Sequence, residues 1–143
     1  QFKRYEVFAT TTDHRAATFS PILSMTGKQA LLTNKPKYFE MNLKNMIAIA
    51  NKYNITPLLS TFAYSDKFDY ITTNENWQLG YKQHREVAVK LAEEENISLY
   101  DFASEMSTDK KYWIDGIHLT KDGIDLKASS FAKHIYKNKL IAR

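Results

Sequence analysis

The run Asn54-Ile55-Thr56-Pro57-Leu58-Leu59-Ser60-Thr61-Phe62 decides the fold, because a short β-rich segment follows directly on a stretch of helical periodicity. Between Pro36 and Asn54, Phe39, Leu43, Met46, Ile47, Ala50 and Tyr53 recur at intervals of three and four, one stripe on a helix. Pro36 suits its first turn. The same succession returns downstream. From Trp77 to Asn96, one face carries Gly80, His84, Val87, Ala88, Leu91 and Ala92, and Asn96 suits a left-handed C-terminal position. Ile97-Ser98-Leu99-Tyr100-Asp101-Phe102 then reads as a strand. A third helix opens at Thr120, whose hydroxyl can cap, and ends near Lys137 with Ile124, Ala128, Phe131, Ala132 and Ile135 on one side. Arg4-Tyr5-Glu6-Val7-Phe8-Ala9-Thr10 reads as an earlier strand. The order β-α-β-α-β-α predicts an α/β layered domain with parallel strands and crossover helices, one domain over residues 1–143. A parallel sheet needs both faces covered, so three strands with three helices read as the C-terminal part of a larger sheet.

Composition narrows the function. The 143 residues are 43% apolar and 25% charged, with 20 Lys and Arg against 16 Asp and Glu, a formal charge of +4. The basic residues are dispersed, without the dense stripe that nucleic-acid binding needs. With no Cys, thiol nucleophiles and zinc-thiolate sites are excluded, and chemistry must use oxygen and imidazole. Runs such as Ile55-Thr56-Pro57-Leu58-Leu59 fall far below the roughly 20 residues of a membrane span. The chain starts at Gln1 and enters a strand at once, which predicts a segment upstream and an N-terminally truncated sheet.

Two non-periodic stretches, Thr11 to Lys35 and Ala63 to Asn76, follow expected strands. Ligand crevices in open α/β sheets lie at the carboxyl ends of strands, so both should meet the segment after Asp101 on one rim. The densest chemistry lies there, in Tyr112-Trp113-Ile114-Asp115-Gly116-Ile117-His118-Leu119-Thr120. A turn at Gly116 can bring the Asp115 carboxylate to the His118 ring, fixing one tautomer and leaving the other nitrogen to take a proton. The bland alternative is that Asp115 caps a turn while His118 packs on Trp113. Trp113 and Tyr64 are expected near the rim, where aromatics can line an acyl or sugar pocket. His84 and His134 sit on helix faces and read as packing residues.

Asp115-Gly116-Ile117-His118-Leu119-Thr120-Lys121-Asp122-Gly123, followed by an amphipathic terminal helix, resembles the last block of the SGNH/GDSL hydrolases, D-G-x-H-x-x-x-x-G. Leu91-Ala92 and Ile97-Ser98-Leu99-Tyr100-Asp101 resemble the stretch that precedes it in that family, and the likeness covers roughly residues 38–140. It implies a three-layer α/β/α flavodoxin-like fold and serine ester hydrolysis, of esterase, lipase or carbohydrate-deacetylase type, with His118 as general base then acid and Asp115 orienting it. No metal or organic cofactor is implied, and the partner is a small-molecule or carbohydrate ester. Secretion or a periplasmic location is favoured by the resemblance and the missing initiator Met.

The chain departs from the family at two places. It has no G-D-S, so the nucleophile is expected upstream of Gln1; within the chain, Ser20, Ser24, Ser60 and Ser65 are the alternatives. The oxyanion block G-x-N-D has only Thr10-Thr11-Thr12-Asp13 as its counterpart. Thr12 can offer one donor to an oxyanion, where loss of a donor costs about 3 kcal/mol, or Thr12 and Asp13 can simply cap a turn. His14 and Arg15 share the rim. Convergence of His14 and Asp13 with His118 and Asp115 would make a metal site, but a substrate-recognising Arg15 is the preferred reading and no metal is assigned. The alternative to an enzyme is a non-catalytic α/β binding module on a degenerate scaffold. An open sheet edge would pair with the missing N-terminal piece or with a second copy.

Overall fold

Three helices end in the same device, and that repetition sets the framework. The computed structural model describes residues 26–68 and 71–141, and the chain divides into two compact units, Gln1–Asn34 and Lys35–Arg143. The described part of the first unit is α1, Gly27–Thr33, opened by a capping box. Thr26 Oγ1 accepts from Gln29 N at 3.2 Å, while Gln29 Oε1 accepts from Thr26 N at 2.9 Å. The sequence shows no helical period there, because about two turns are too short to display a stripe. The expected strand at Arg4–Thr10, together with Thr12, Asp13, His14 and Arg15, lies outside the described residues.

The second unit runs α2 (Lys37–Lys52), β1 (Leu58–Ser60), a 3-10 turn (Ile71–Thr73), α3 (Glu75–Glu94), β2 (Ser98–Tyr100), α4 (Phe102–Glu105), a second 3-10 turn (Lys110–Tyr112) and α5 (Lys121–Lys137). Helix α2 stops where Asn54 turns left-handed (φ 54°), with Asn54 N on Asn51 O at 3.1 Å and Ile55 N on Ala50 O at 2.9 Å. Helix α3 repeats the motif at Asn96 (φ 51°), with Ile97 N on Ala92 O at 3.0 Å, and α5 repeats it at Lys139 (φ 52°). The strands are shorter than the sequence suggests. Left-handed Asn54 and donor-less Pro57 hold the chain out of the sheet until Leu58, and Phe102 already belongs to α4.

β1 and β2 pair in parallel, Leu58 with Ser98, Leu59 with Leu99 and Ser60 with Tyr100. Alternation along the strands assigns the two faces. Leu99 joins α3 residues in lining a groove. Tyr100 and Ser98 turn the other way onto α5, Tyr100 against the Phe131 ring at 5.1 Å and Ser98 Oγ at 2.9 Å from His134 Nε2. Helices therefore lie on both faces of the sheet, with α2 packed on α3. Tyr100, Ala63, Phe102, Met106 and Trp113 form the core on the α5 side, while Ala88, Leu91 and Ala92 are buried on α3.

The ends of both strands are tied together. Thr61 Oγ1 donates to Asp101 Oδ1 at 2.7 Å and accepts from Ala103 N at 2.9 Å. Arg85 of α3 holds the same carboxylate through Nε at 3.1 Å and Nη2 at 2.6 Å. This fork, aided by Thr61 and Ser104, lowers the Asp101 pKa from 3.8 to about 2 against the opposing effect of burial.

Candidate active site

The segment between β2 and α5 is clasped by its own hydrogen bonds. Asp109 caps the 3-10 turn at Lys111 N, and Trp113 forms an antiparallel bridge with Leu119. Ile114 N donates to His118 O at 2.8 Å, and Thr120 N donates to Tyr112 O at 3.0 Å. Thr120 Oγ1 donates to Lys111 O at 2.7 Å and accepts from Gly123 N at 3.3 Å, so one hydroxyl closes the loop and caps α5. The closed loop carries Asp115 and His118 at its tip, on the strand-end side of the sheet where the sequence placed the rim.

Asp115 accepts three hydrogen bonds from its own turn. Oδ1 accepts from the backbone N–H of Ile117 at 3.1 Å and of His118 at 2.9 Å, and Oδ2 meets His118 Nδ1 at 2.7 Å. The His118 side chain first, and the two backbone donors with it, lower the Asp115 pKa from 3.8 to about 2. An ionised carboxylate can only accept, so the proton of this bond sits on Nδ1, and in the neutral ring that leaves the lone pair on Nε2. The His118 side chain is 68% exposed, and among the described residues nothing bonds Nε2. Asp115 thus caps the turn and orients the imidazole at once, uniting the two readings of its role. The ring faces solvent, and Trp113 belongs to the core.

Trp113 is 3% exposed, and its indole N–H donates to Ser107 O at 2.7 Å. The expectation of a rim position fails for it, because the Ser107 carbonyl satisfies the one polar atom of the ring and lets the ring enter the core. Tyr64 instead lines a groove of about 1110 Å3 along α3, shared with Phe62, Tyr81, Arg85 and Asp101. Tyr64 meets the Trp77 ring at 5.0 Å and that of Tyr81 at 5.5 Å. His84 Nδ1 bonds Gly80 O at 2.8 Å and its ring meets Phe39 at 4.6 Å; His134 packs at 5.4 Å from Tyr100.

None of the seven described serines reaches His118. Ser60 donates to Thr61 O, Ser65 to Thr108 O, Ser104 to Asp101 O, Ser129 to Leu126 O and Ser130 to Glu105. Ser98 bonds His134, and Ser107 accepts from Asp109 N. Ser65, a candidate from sequence, is wholly buried; Ser20 and Ser24 lie outside the described residues. Among the described residues no group of three or more His, Asp or Glu is placed to hold a metal ion, and no helix is long and apolar enough to cross a membrane.

Two parallel strands joined by the crossover helix α3, with helices on both faces, define the α/β class. No family model matches the chain, and no curated protein matches it. Among solved structures, a GDSL-like lipase from Bacteroides thetaiotaomicron VPI-5482 is similar at a TM-score of 0.58 and 19% identity, over 73% of this chain and 54% of that one. The chain has the α/β fold of that lipase and spans about half its length.

Proposed function

We propose that the protein is an ester hydrolase of the SGNH type, in which His118 is general base and then general acid and Asp115 orients it. One observation carries the reading: His118 Nδ1 is 2.7 Å from an Asp115 carboxylate fixed by two backbone N–H groups, while no described residue bonds Nε2. A ring in that state takes a proton from a serine hydroxyl, and the carboxylate stabilises the imidazolium. The serine attacks the ester carbonyl, the alkoxide leaves with the proton from Nε2, and a water activated by the same nitrogen releases the acid. The nucleophile comes from outside Thr26–Ile141, in keeping with seven described serines bonded elsewhere. The substrate is a small-molecule or carbohydrate ester. The fold of a GDSL-like lipase supports the reading at the level of architecture.

Those seven committed serines also favour a second reading, a binding module on the same scaffold. Hydrolysis of p-nitrophenyl acetate and fluorophosphonate labelling, each with wild type and His118→Ala, separate the two. Turnover that falls on the order of 10³-fold in the variant, with an adduct on a serine outside Thr26–Ile141, supports the enzyme. Turnover indifferent to His118, or no turnover and no adduct, removes it.

A further inference from the structure

Residues far away in sequence press on the turn that carries the acid–base pair. Gly116 is buried and left-handed at φ +93°, and a Cβ built on it would lie 2.8 Å from Ser65 O, 2.8 Å from Thr72 Oγ1 and 3.2 Å from Thr72 Cγ2. Ser65 N donates to Gly116 O at 2.8 Å. The turn therefore lies flush against two residues of the segment that follows β1, with no room for a single added carbon.

Those two residues are themselves pinned. Both are 0% exposed. Ser65 Oγ donates to Thr108 O at 2.6 Å and accepts from Lys67 N at 3.3 Å. Gln78 of α3 donates through Nε2 to Thr72 O at 2.8 Å. A chain of contacts thus runs from α3 through Thr72 and Ser65 to the peptide between Asp115 and Ile117.

The Thr72 hydroxyl is buried with no hydrogen-bond partner among the described residues. Buried hydroxyls ordinarily find one, so this side chain contributes its shape and not its polarity at this spot. The atoms it presents to Gly116 are the two that a Cβ would strike. Asp115 accepts from Ile117 N and His118 N only when the turn has this curvature, and those bonds aim Oδ2 at the ring.

We propose that Ser65 and Thr72 are positioning residues for the Asp115–His118 pair, a buried brace that holds the 115–118 turn in the shape that aligns carboxylate and imidazole. The brace rests on the proposed reading of that pair as an acid and base. Neither residue touches the reacting atoms, so each acts through the turn.

The test is amide hydrogen exchange of Ile117 and His118, the two N–H groups that Asp115 accepts, in wild type, Thr72→Ala, Thr72→Val and Ser65→Ala. Thr72→Ala removes the contact surface and should speed exchange at both amides about tenfold while Phe131 and Ala132 of α5 hold their rates. Thr72→Val keeps the branched shape and gives up a hydroxyl that bonds no described residue, so it should stay within about threefold of wild type. In esterase assays Thr72→Ala should lower kcat about tenfold at unchanged KM, and Thr72→Val should restore it. Should Thr72→Ala not fold, Ser65→Ala carries the same exchange expectation. Unchanged exchange at Ile117 and His118, or acceleration equal to that of α5, overturns the brace. Wild-type protein without turnover removes the esterase reading instead, because the exchange result is read without activity.

Discussion

Replacing Asp101 by Asn should destabilise the protein in a way that disappears in acid. Asp101 accepts from Thr61, from Arg85 Nε and from Arg85 Nη2, and its pKa falls from 3.8 to about 2. That difference corresponds to about 2 kcal/mol. The Arg85 side chain is 46% exposed and that of Asp101 26%, so solvent screening reduces the net contribution to about 1–1.5 kcal/mol. Asn keeps an oxygen for Thr61 but turns an NH2 toward the Arg85 donors. Because the folded pKa lies below the unfolded one, the carboxylate's contribution is full above about pH 5 and is lost as the pH falls through about 2. Urea unfolding of wild type and Asp101→Asn should show a gap of about 1–1.5 kcal/mol at pH 7 that has largely closed near pH 2. A gap that persists unchanged to low pH would refute the ion-pair account and leave packing as the cause. Arg85→Met should raise the Asp101 titration midpoint toward 3.8, followed by carboxyl NMR.

Further expectations concern the site loop. Asp115→Asn should cut esterase turnover on the order of 10³- to 10⁴-fold, as the amide no longer enforces the Nδ1–H tautomer. Asp115 stays ionised down to about 2, so the loss should be present throughout the neutral range, and a variant that keeps wild-type turnover at pH 7 contradicts the assignment. Gly123→Ala would drive a Cβ into Tyr112 O at the first turn of α5 and should lower the midpoint of thermal unfolding, whereas an ordinary exposed Gly→Ala in a helix raises it. Thr120→Val removes both the cap of α5 and the bond to Lys111 O, and should cost about 1–2 kcal/mol in urea unfolding.

What the sequence disclosed and what it hid divide along chain distance. The stripes of α2, α3 and α5 are local patterns, and all three helices stand within a few residues of where the periodicity put them. Asp115 and His118 are three residues apart, so a turn at Gly116 was enough to join them. The Ser65–Gly116 contact spans 51 positions and leaves no local trace, and Arg85 reaches Asp101 across a helix and a turn. A hydroxyl in a non-periodic stretch looks the same on paper whether it serves as nucleophile or, as Ser65 does, braces a turn from within. Trp113 misled for a related reason: its neighbours in sequence are at the loop tip, but the carbonyl that takes its N–H belongs to Ser107.

The left-handed asparagines that end α2 and α3 act as index marks. Each fixes the next residue to an alanine five positions back, Ile55 to Ala50 and Ile97 to Ala92, so the count from helix end to strand start is locked. From Asn96 that count delivers Tyr100 to the α5 side and Asp101 to Thr61. One residue inserted after Ile97 would exchange the two faces of β2, sending Leu99 toward α5 and Tyr100 into the α3 layer. Asp101 would slide past its partners by the same step. A single residue gained or lost beside Asn96 rewrites the interior.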